Sequence, residues 1–259
     1  MSIFPSPPTF PKEHGAYAQL GISLAAGLSL APTGSQGWAQ ALASGLVFLA
    51  SDPLLVWAGQ RTGKGQNAQQ SRATARLQSI LYGLLLLPAL VWAWKGADPS
   101  AFLGALPSLG FGALLLALFL KRREHSLPGE LAAAFAFSFT ALPVALLNSV
   151  NPRAAWLLAL SLAALHGLGT LLVRGILWSR KAQEARGPRL VPVAAGLALS
   201  GALALSGLPK WSLLAPLPLT LASLVVLVRM PHARHFRPIG WALTAGTILG
   251  IAVVRLALG

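Results

Sequence analysis

Cysteine is absent from this chain of 259 residues, and acidic residues are scarce. Without thiols the chain can form neither a disulfide framework nor a thiolate metal site. A magnesium–diphosphate site needs several carboxylates that converge on the metal, but the 6 acidic residues are scattered, and no two of them are adjacent. The sequence also lacks a GxxxxGK[ST] phosphate loop and an HExxH motif. We therefore expect no metal site, no magnesium and no other cofactor.

Charge of either sign is also limited, because only 10% of the residues are charged while 55% are hydrophobic. A soluble domain carries about 25% charged residues. The apolar residues form long runs, which is typical of a membrane protein whose helices cross the bilayer. We predict an all-α polytopic membrane protein with one transmembrane domain over residues 1–259. Residues 1–13 would form an N-terminal segment, and the first membrane helix would direct insertion, because no cleavable signal pattern precedes it.

The apolar runs predict nine transmembrane helices, since about 20 residues are needed to cross the hydrocarbon layer. The fourth span contains Pro107, and Pro216 and Pro218 interrupt the eighth. The segment 59–76 is polar and predicts a flexible loop. The nine predicted spans are 14–31, 36–58, 77–95, 100–120, 129–148, 153–177, 190–207, 211–229 and 239–257.

Basic residues alternate between the predicted loops. Every second loop is rich in Lys and Arg, whereas the remaining loops hold only Lys95, Arg153 and Lys210. By the positive-inside rule we expect the N-terminus to be cytoplasmic and the C-terminus to be outside. The net charge of +14 is thus a topology signal that also favours contact with anionic lipids. We expect membrane lipids as partners and no nucleic acid.

Ionisable residues within the first two spans are candidates for function, because a charge at membrane depth costs about 2.5–3.5 kcal/mol. Glu13 either stabilises the start of the first helix or faces a ligand. His14 gains nothing from that position when protonated, so it requires a specific partner, and Tyr17 lies one turn further on. Asp52 precedes Pro53, which indicates either a local helix break that forms a polar pocket or a cap on a short helical piece.

A polar stripe is predicted in the sixth span, where His166, Thr170 and Arg174 follow one another at intervals of four residues. Arg174 could instead extend its side chain to the membrane surface, and a single buried histidine is often structural. Glu130 begins the fifth span, where an acidic residue also favours the helix dipole. Ser138 lies eight residues further on the same face of that helix.

These polar residues share the cytoplasmic half of the predicted bundle, which favours a polar or basic cavity open to the cytoplasm. No catalytic residue is predicted. The predicted ligand-binding residues are Glu13, His14, Tyr17, Asp52, Arg61, Arg122, Glu130, His166, Thr170 and Arg174.

Two segments resemble known families. The segment PKEHGAYAQL, residues 11–20, is similar to the signature of the YwiC-like bacterial membrane proteins. This resemblance implies that the chain lies in the cytoplasmic (inner) membrane of a bacterium. The segment Phe119–Leu147, with Lys121, Arg122 and Pro143, resembles UbiA-type membrane prenyltransferases. The second resemblance implies a bundle of nine helices around a cytoplasmic cavity. The loops that should carry its two Asp-rich motifs hold only one acidic residue, Glu184, so metal-dependent transfer is not expected.

Three functions remain open from the sequence. The first is the binding or movement of an amphipathic or anionic lipid-like ligand, such as an isoprenoid or an anionic lipid. The second is a diverged prenyl or lipid transferase without the Asp-rich magnesium motifs, so whether the chain is an enzyme stays undecided. The third is a carrier of small solutes, which needs access from both sides of the membrane.

Overall fold

The structure is a computed structural model that describes residues 10, 14–30, 34–61, 68–181, 193–200, 202, 207, 209–229 and 236–258. Within those residues it consists of helices and turns, without a strand, and the all-α prediction is confirmed. The α-helices are α1 (His14–Ser29), α2 (Ser35–Trp57), α3 (Ala68–Trp94), α4 (Pro99–Leu120), α5 (Leu127–Phe139), α6 (Ala141–Leu147), α7 (Pro152–Lys181), α8 (193–200), α9 (Leu217–Arg229) and α10 (Phe236–Ala257), and a 3-10 helix covers Lys210–Leu214.

Six helical segments in the described part of the chain are long and apolar enough to cross a membrane. The number of nine spans therefore stays a prediction. Helix α1 has only 16 residues, and the predicted span 190–207 lies partly outside the described residues. The six segments are Ser35–Trp57, Ser71–Trp94, Pro99–Leu120, Leu127–Leu147, Pro152–Leu177 and Pro238–Ala257.

The exposure of these helices identifies their environment. In α4 only 6% of the most apolar window is buried within the protein. Leu103 and Leu109 expose 63% and 65% of their surface. Such a continuous apolar face would be unfavourable in water but is what lipid tails cover at no cost. The chain is therefore a multi-pass membrane protein whose apolar helix faces contact lipid.

Local sequence explains where α4 and α5 begin. Asp98 lies before Pro99, which occupies the first helical position, and the Asp98 carboxylate accepts the N–H of Ser100 at 2.8 Å. Ser126 precedes α5 and accepts the N–H of Gly129 at 3.4 Å. Each side chain satisfies one of the N–H groups that a helix start leaves without a partner.

The predicted fifth span, 129–148, is divided in the structure into α5 and α6. Pro143, in the first turn of α6, has no N–H to donate to the carbonyl of Phe139, which removes one helical hydrogen bond across the break. Thr140 lies at the break, and its hydroxyl donates to the carbonyl of Phe137 at 2.6 Å. The predicted eighth span is likewise a 3-10 turn followed by α9, and α3 begins at Ala68, within the segment predicted to be a loop.

The bundle has two ends, which we name by the residues that lie there. The Arg61 end holds the turns 58–61 and 121–126, and the Asn148 end holds Gly34 and the turns 95–98 and 148–151. Helix α1 runs from the Arg61 end to the Asn148 end, and α10 runs parallel to it. The guanidinium of Arg255, near the end of α10, donates to the carbonyl of Ser29 at 3.0 Å.

The core lies around α1, α6, α7 and α10. A Cβ on Gly27 of α1 would lie 2.8 Å from the carbonyl oxygen of Ala141, so the backbones of α1 and α6 approach as closely as only glycine allows. Helix α2 packs chiefly on α3 and α6, and α4 packs chiefly on α5 and α6. Helices α2 and α4 thus share α6 as a support at the Asn148 end, and a cavity lies between them towards the Arg61 end.

Candidate functional site

A cavity of about 1010 Å³ lies between α1, α2, α4, α5, α7 and α10. Most of the side chains that line it are apolar, and polar groups from several helices interrupt this surface. Between α2 and α4 the lining includes Val47, Leu54, Leu109 and Leu116, all of which are exposed. The cavity therefore combines an apolar interior with apolar side chains at a lateral gap.

Asp52 is buried and is paired with Arg61. Arg61 Nη1 donates to Asp52 Oδ1 at 2.5 Å, and the Arg61 guanidinium lies over the Phe119 ring at 4.8 Å from its centroid. One side chain thus connects the carboxylate of α2 with an aromatic ring of α4 across the gap. The predicted helix break at Asp52 is wrong, and so is the predicted cap, because α2 runs without interruption through Pro53. The expectation that Asp52 needs a partner is confirmed.

Glu130 and Arg174 form a second ion pair, between α5 and α7. Arg174 Nε donates to Glu130 Oε2, and Arg174 Nη2 donates to Glu130 Oε1, both at 2.6 Å. This is the two-pronged geometry that a planar guanidinium makes with a carboxylate. Arg174 Nη2 also donates to the backbone carbonyl of His125. Glu130 lies in the first turn of α5, as expected, so it also compensates the helix dipole there.

His166 is 3% exposed and is held by Ser138. Ser138 Oγ lies 2.8 Å from His166 Nδ1 and donates to the carbonyl of Ala134 at 2.7 Å. With its proton used in that bond, Ser138 accepts from Nδ1–H, which leaves Nε2 as an acceptor. His166 Nε2 has no hydrogen-bond partner within the described part of the chain. A buried polar atom without a partner is costly. Glu124 Oε2 is a second buried atom of the described lining without a hydrogen-bond partner. These two atoms are the points in the cavity that most require a ligand atom.

The two polar pairs belong to one antiparallel arrangement of α5 and α7. Glu130 and Ser138 are eight residues apart on α5, and their partners Arg174 and His166 are eight residues apart on α7. Eight residues of helix span about 12 Å, so the pairs lie at two depths of the membrane. Between them Gly167 allows close approach, since a Cβ there would meet the Phe135 ring at 3.2 Å.

The structure brings four of the predicted residues into the cavity lining. Thr170 is among them, and its hydroxyl is used within α7, where it donates to the carbonyl of His166 at 3.0 Å. Asp52 and Arg174 lie behind the lining as partners of two of these residues. The four lining residues are Arg61, Glu130, His166 and Thr170.

The other predicted residues are not brought together in this way. Tyr17 lies outside the lining and packs edge-on against Phe48, with ring centroids 4.8 Å apart. Arg122 is exposed in a turn, with the left-handed φ of 54°, and does not line the cavity. Glu13 and the side chain of His14 lie outside the described residues.

Polar residues of α2 were missed from the sequence. Gln40, Ser44 and Ser51 all line the cavity. Their spacing of four and seven residues places them on one helix face, and this periodicity could have identified them. Gln40 is positioned by Trp94, whose indole N–H donates to Gln40 Oε1 at 3.0 Å. No group of three or more potential metal ligands occurs in the described part of the chain.

Comparison with protein families identifies a match. The model of a family described as YwiC-like protein matches residues 10–146, which is more than half of the chain. No curated protein and no solved structure matches the chain. The resemblance of Phe119–Leu147 to UbiA-type enzymes therefore stays a prediction.

Proposed function

The chain belongs to the YwiC-like protein family, and from that premise we propose that it binds an amphipathic, lipid-like molecule in the cavity between α2, α4, α5 and α7. The observation that carries the proposal is the cavity of about 1010 Å³ with mainly apolar walls. This volume lies at the upper end of the range of about 300–1,000 Å³ for small-molecule sites. An apolar interior of that size suits a hydrocarbon chain better than a small hydrophilic solute. This disfavours the third function considered from the sequence, a carrier of small solutes.

The gap between α2 and α4 provides the route of entry. The exposed apolar residues at this gap, Val47 and Leu54 on α2 and Leu109 and Leu116 on α4, would contact lipid tails. A hydrocarbon chain can pass from the bilayer into the cavity here without leaving an apolar environment. The polar part of the ligand then meets the hydroxyl, amide and imidazole groups of the cavity.

The polar part of the ligand carries no negative charge. Arg61, the one arginine or lysine in the described lining, is neutralised by Asp52, and Arg174 is neutralised by Glu130. The lining also includes the carboxylate of Glu124, which would repel an anion. An anion would compete with these carboxylates for guanidinium groups that already have partners. His166 Nε2, in contrast, is free to accept from a ligand hydroxyl or amide, or to donate when the other tautomer forms. An anionic lipid is therefore the less favoured of the two ligands expected from the sequence.

The orientation and location of the protein belong to the same proposal. The Arg61 end carries Arg61 and the basic turn 121–123, and the Asn148 end carries Lys95 and Arg153. By the positive-inside rule the Arg61 end, and with it the polar part of the cavity, faces the cytoplasm across a bacterial inner membrane. The parallel course of α1 and α10 supports a cytoplasmic N-terminus and an external C-terminus.

Two glycines on α4 provide a matched test. Gly112 lines the cavity and Gly110 does not, and a Cβ on either would meet nothing within 4 Å. Gly112→Leu should fill part of the cavity, whereas Gly110→Leu should extend into lipid. Both substitutions should raise the helix propensity by about 0.8–1 kcal/mol, so fold stability is matched between them.

The measurement is native mass spectrometry, with lipid analysis, of protein released from membranes in a mild detergent. We expect one amphiphile without a negative charge to co-purify with the wild-type protein and with Gly110→Leu, and to be depleted by Gly112→Leu. Equal retention in both variants, or recovery of bulk phospholipid alone, would refute the proposed function.

A further inference from the structure

A second, smaller cavity of about 420 Å³ lies at the Asn148 end, opposite to the end where Arg61 lies. Its lining includes Ser35 and Gln36 from the first turn of α2, Lys95 and Trp92 beside the α3–α4 turn, and Asn148 after α6. None of the residues that line the larger cavity takes part in it. Nothing in the proposed function uses these groups.

The first turn of α2 contributes to the lining of this cavity. The N-cap residue of this 23-residue helix is Gly34, so no N-cap side chain accepts a hydrogen bond from the first turn. The first N–H groups of a helix have no intrahelical partner, and they carry about half a positive charge. The side-chain amide of Gln36 donates to the carbonyl of Lys95 at 2.7 Å, which fixes α2 to the α3–α4 turn.

Asn148 supplies an independent indication of a ligand. Its side chain is 7% exposed, and Oδ1 accepts the backbone N–H of Gly34 at 3.0 Å. The other atom of the amide, Nδ2, is a buried donor without a partner in the described residues. The amide lies so close to Gly37 that a side chain there would overlap it. A donor held rigidly beside a helix start, and without an acceptor, is incomplete unless a ligand provides one.

Lys95 adds a full positive charge to this arrangement. Its side chain is exposed and, within the described part of the chain, forms no salt bridge. The nearest acidic residue in sequence, Asp98, is directed to the start of α4 by its bond with Ser100. The described lining of the cavity includes no carboxylate. The described lining therefore offers hydroxyl, amide and ammonium donors and no side chain with a negative charge.

We propose that the start of α2, Asn148 and Lys95 form a binding site for a phosphate-type anion on the face of the membrane opposite to the Arg61 end. Backbone N–H groups, an amide donor and an ammonium group are the chemistry that binds oxyanions at helix starts. The anion is either the phosphate of a lipid headgroup or free phosphate. Trp92 at the rim is 56% exposed, a position typical of an aromatic residue at the headgroup level.

The test uses the full chain in nanodiscs and three variants. Lys95→Gln removes the cation, and Lys210→Gln is the matched control, because Lys210 is also exposed but lies outside the cavity. Asn148→Asp keeps the acceptor for Gly34 and replaces the orphan donor by a carboxylate, which would itself occupy the helix start. This variant should fold, because an acidic side chain at a helix start is favourable.

Two arms distinguish the sources of the anion. In nanodiscs of phosphatidylcholine, inorganic phosphate is titrated against chloride at constant ionic strength while thermal unfolding is followed. In nanodiscs that also contain phosphatidylglycerol, bound phosphatidylglycerol is counted by native mass spectrometry. A response in the first arm identifies free phosphate, and a response in the second arm alone identifies a lipid headgroup.

In the responding arm we expect Lys95→Gln to weaken binding roughly three- to ten-fold, Asn148→Asp to abolish it and Lys210→Gln to leave it unchanged. The proposal is overturned if neither arm responds, if the two lysine variants lose binding equally, or if Asn148→Asp binds as the wild type does.

Discussion

The ion pair between Glu130 and Arg174 allows a quantitative test of how α5 and α7 are held together. We propose a double-mutant cycle with Glu130→Gln, Arg174→Gln and the double variant. Removing one partner of a fully buried pair costs about 3–5 kcal/mol, whereas exposed pairs contribute about 0.2–1 kcal/mol. The Arg174 and Glu130 side chains are 17% and 35% exposed, so this pair lies between the two limits. Its two hydrogen bonds at 2.6 Å place the expected coupling energy at about 2 kcal/mol.

The assay is the free energy of unfolding, measured as the fraction of sodium dodecyl sulfate is raised in mixed micelles. A parallel cycle with Ser138→Ala and His166→Phe gives an internal comparison, because hydrogen bonds between membrane helices average only about 0.6 kcal/mol. The ion pair should therefore couple more strongly than the Ser138–His166 pair. A coupling energy below about 0.5 kcal/mol for the ion pair, or the reverse order of the two, would refute this reasoning.

Two further predictions concern the turns at the ends of the bundle. The hydrogen bonds from the Ser100 side chain and backbone N–H lower the pKa of Asp98 in the folded protein below its usual 3.8. The ionised cap therefore contributes its full stabilisation above pH 3.8. This stabilisation is lost as the pH falls through the pKa that Asp98 has in the folded protein. Between about pH 5 and about pH 3 the melting temperature should fall further for the wild type than for Asp98→Asn, because asparagine caps a helix without titrating. Equal falls in melting temperature would contradict this. Because the chain has no cysteine, one introduced thiol reports the orientation: a membrane-impermeant maleimide should label Ser149→Cys but not Arg123→Cys on intact cells, and the opposite pattern would invert the proposed topology.

Membrane crossing and the polar stripe of α7 could be predicted from the sequence because both depend on local patterns. Long apolar runs set the spans, and the interval of four residues placed His166, Thr170 and Arg174 on one helix face. Glu130 and Ser138 were also recognised to share a face of their own helix. Their pairing with Arg174 and His166 was not predicted, because it depends on the register in which α5 and α7 pack.

The remaining differences have local causes that the apolar pattern does not report. Pro143 divides the fifth span, while Pro53 is accommodated inside α2 without a break, so proline alone does not decide where a membrane helix ends. Arg61 was selected from a loop, but its partner Asp52 and its contact with Phe119 join residues of different elements. Asn148 was missed because its role depends on the approach of the α2 start, more than a hundred residues away.

The contact of α4 with α6 has a mechanical consequence for the mouth of the larger cavity. Gly104 packs against Leu142 and Leu146 of α6, and Phe119 lies fifteen residues further along α4, or about 22 Å away. A tilt of α4 by about 5° around the Gly104 contact would displace the Phe119 ring by about 2 Å. If α4 tilts away from α2, that displacement would lift the ring off the guanidinium of Arg61 and widen the gap between α2 and α4.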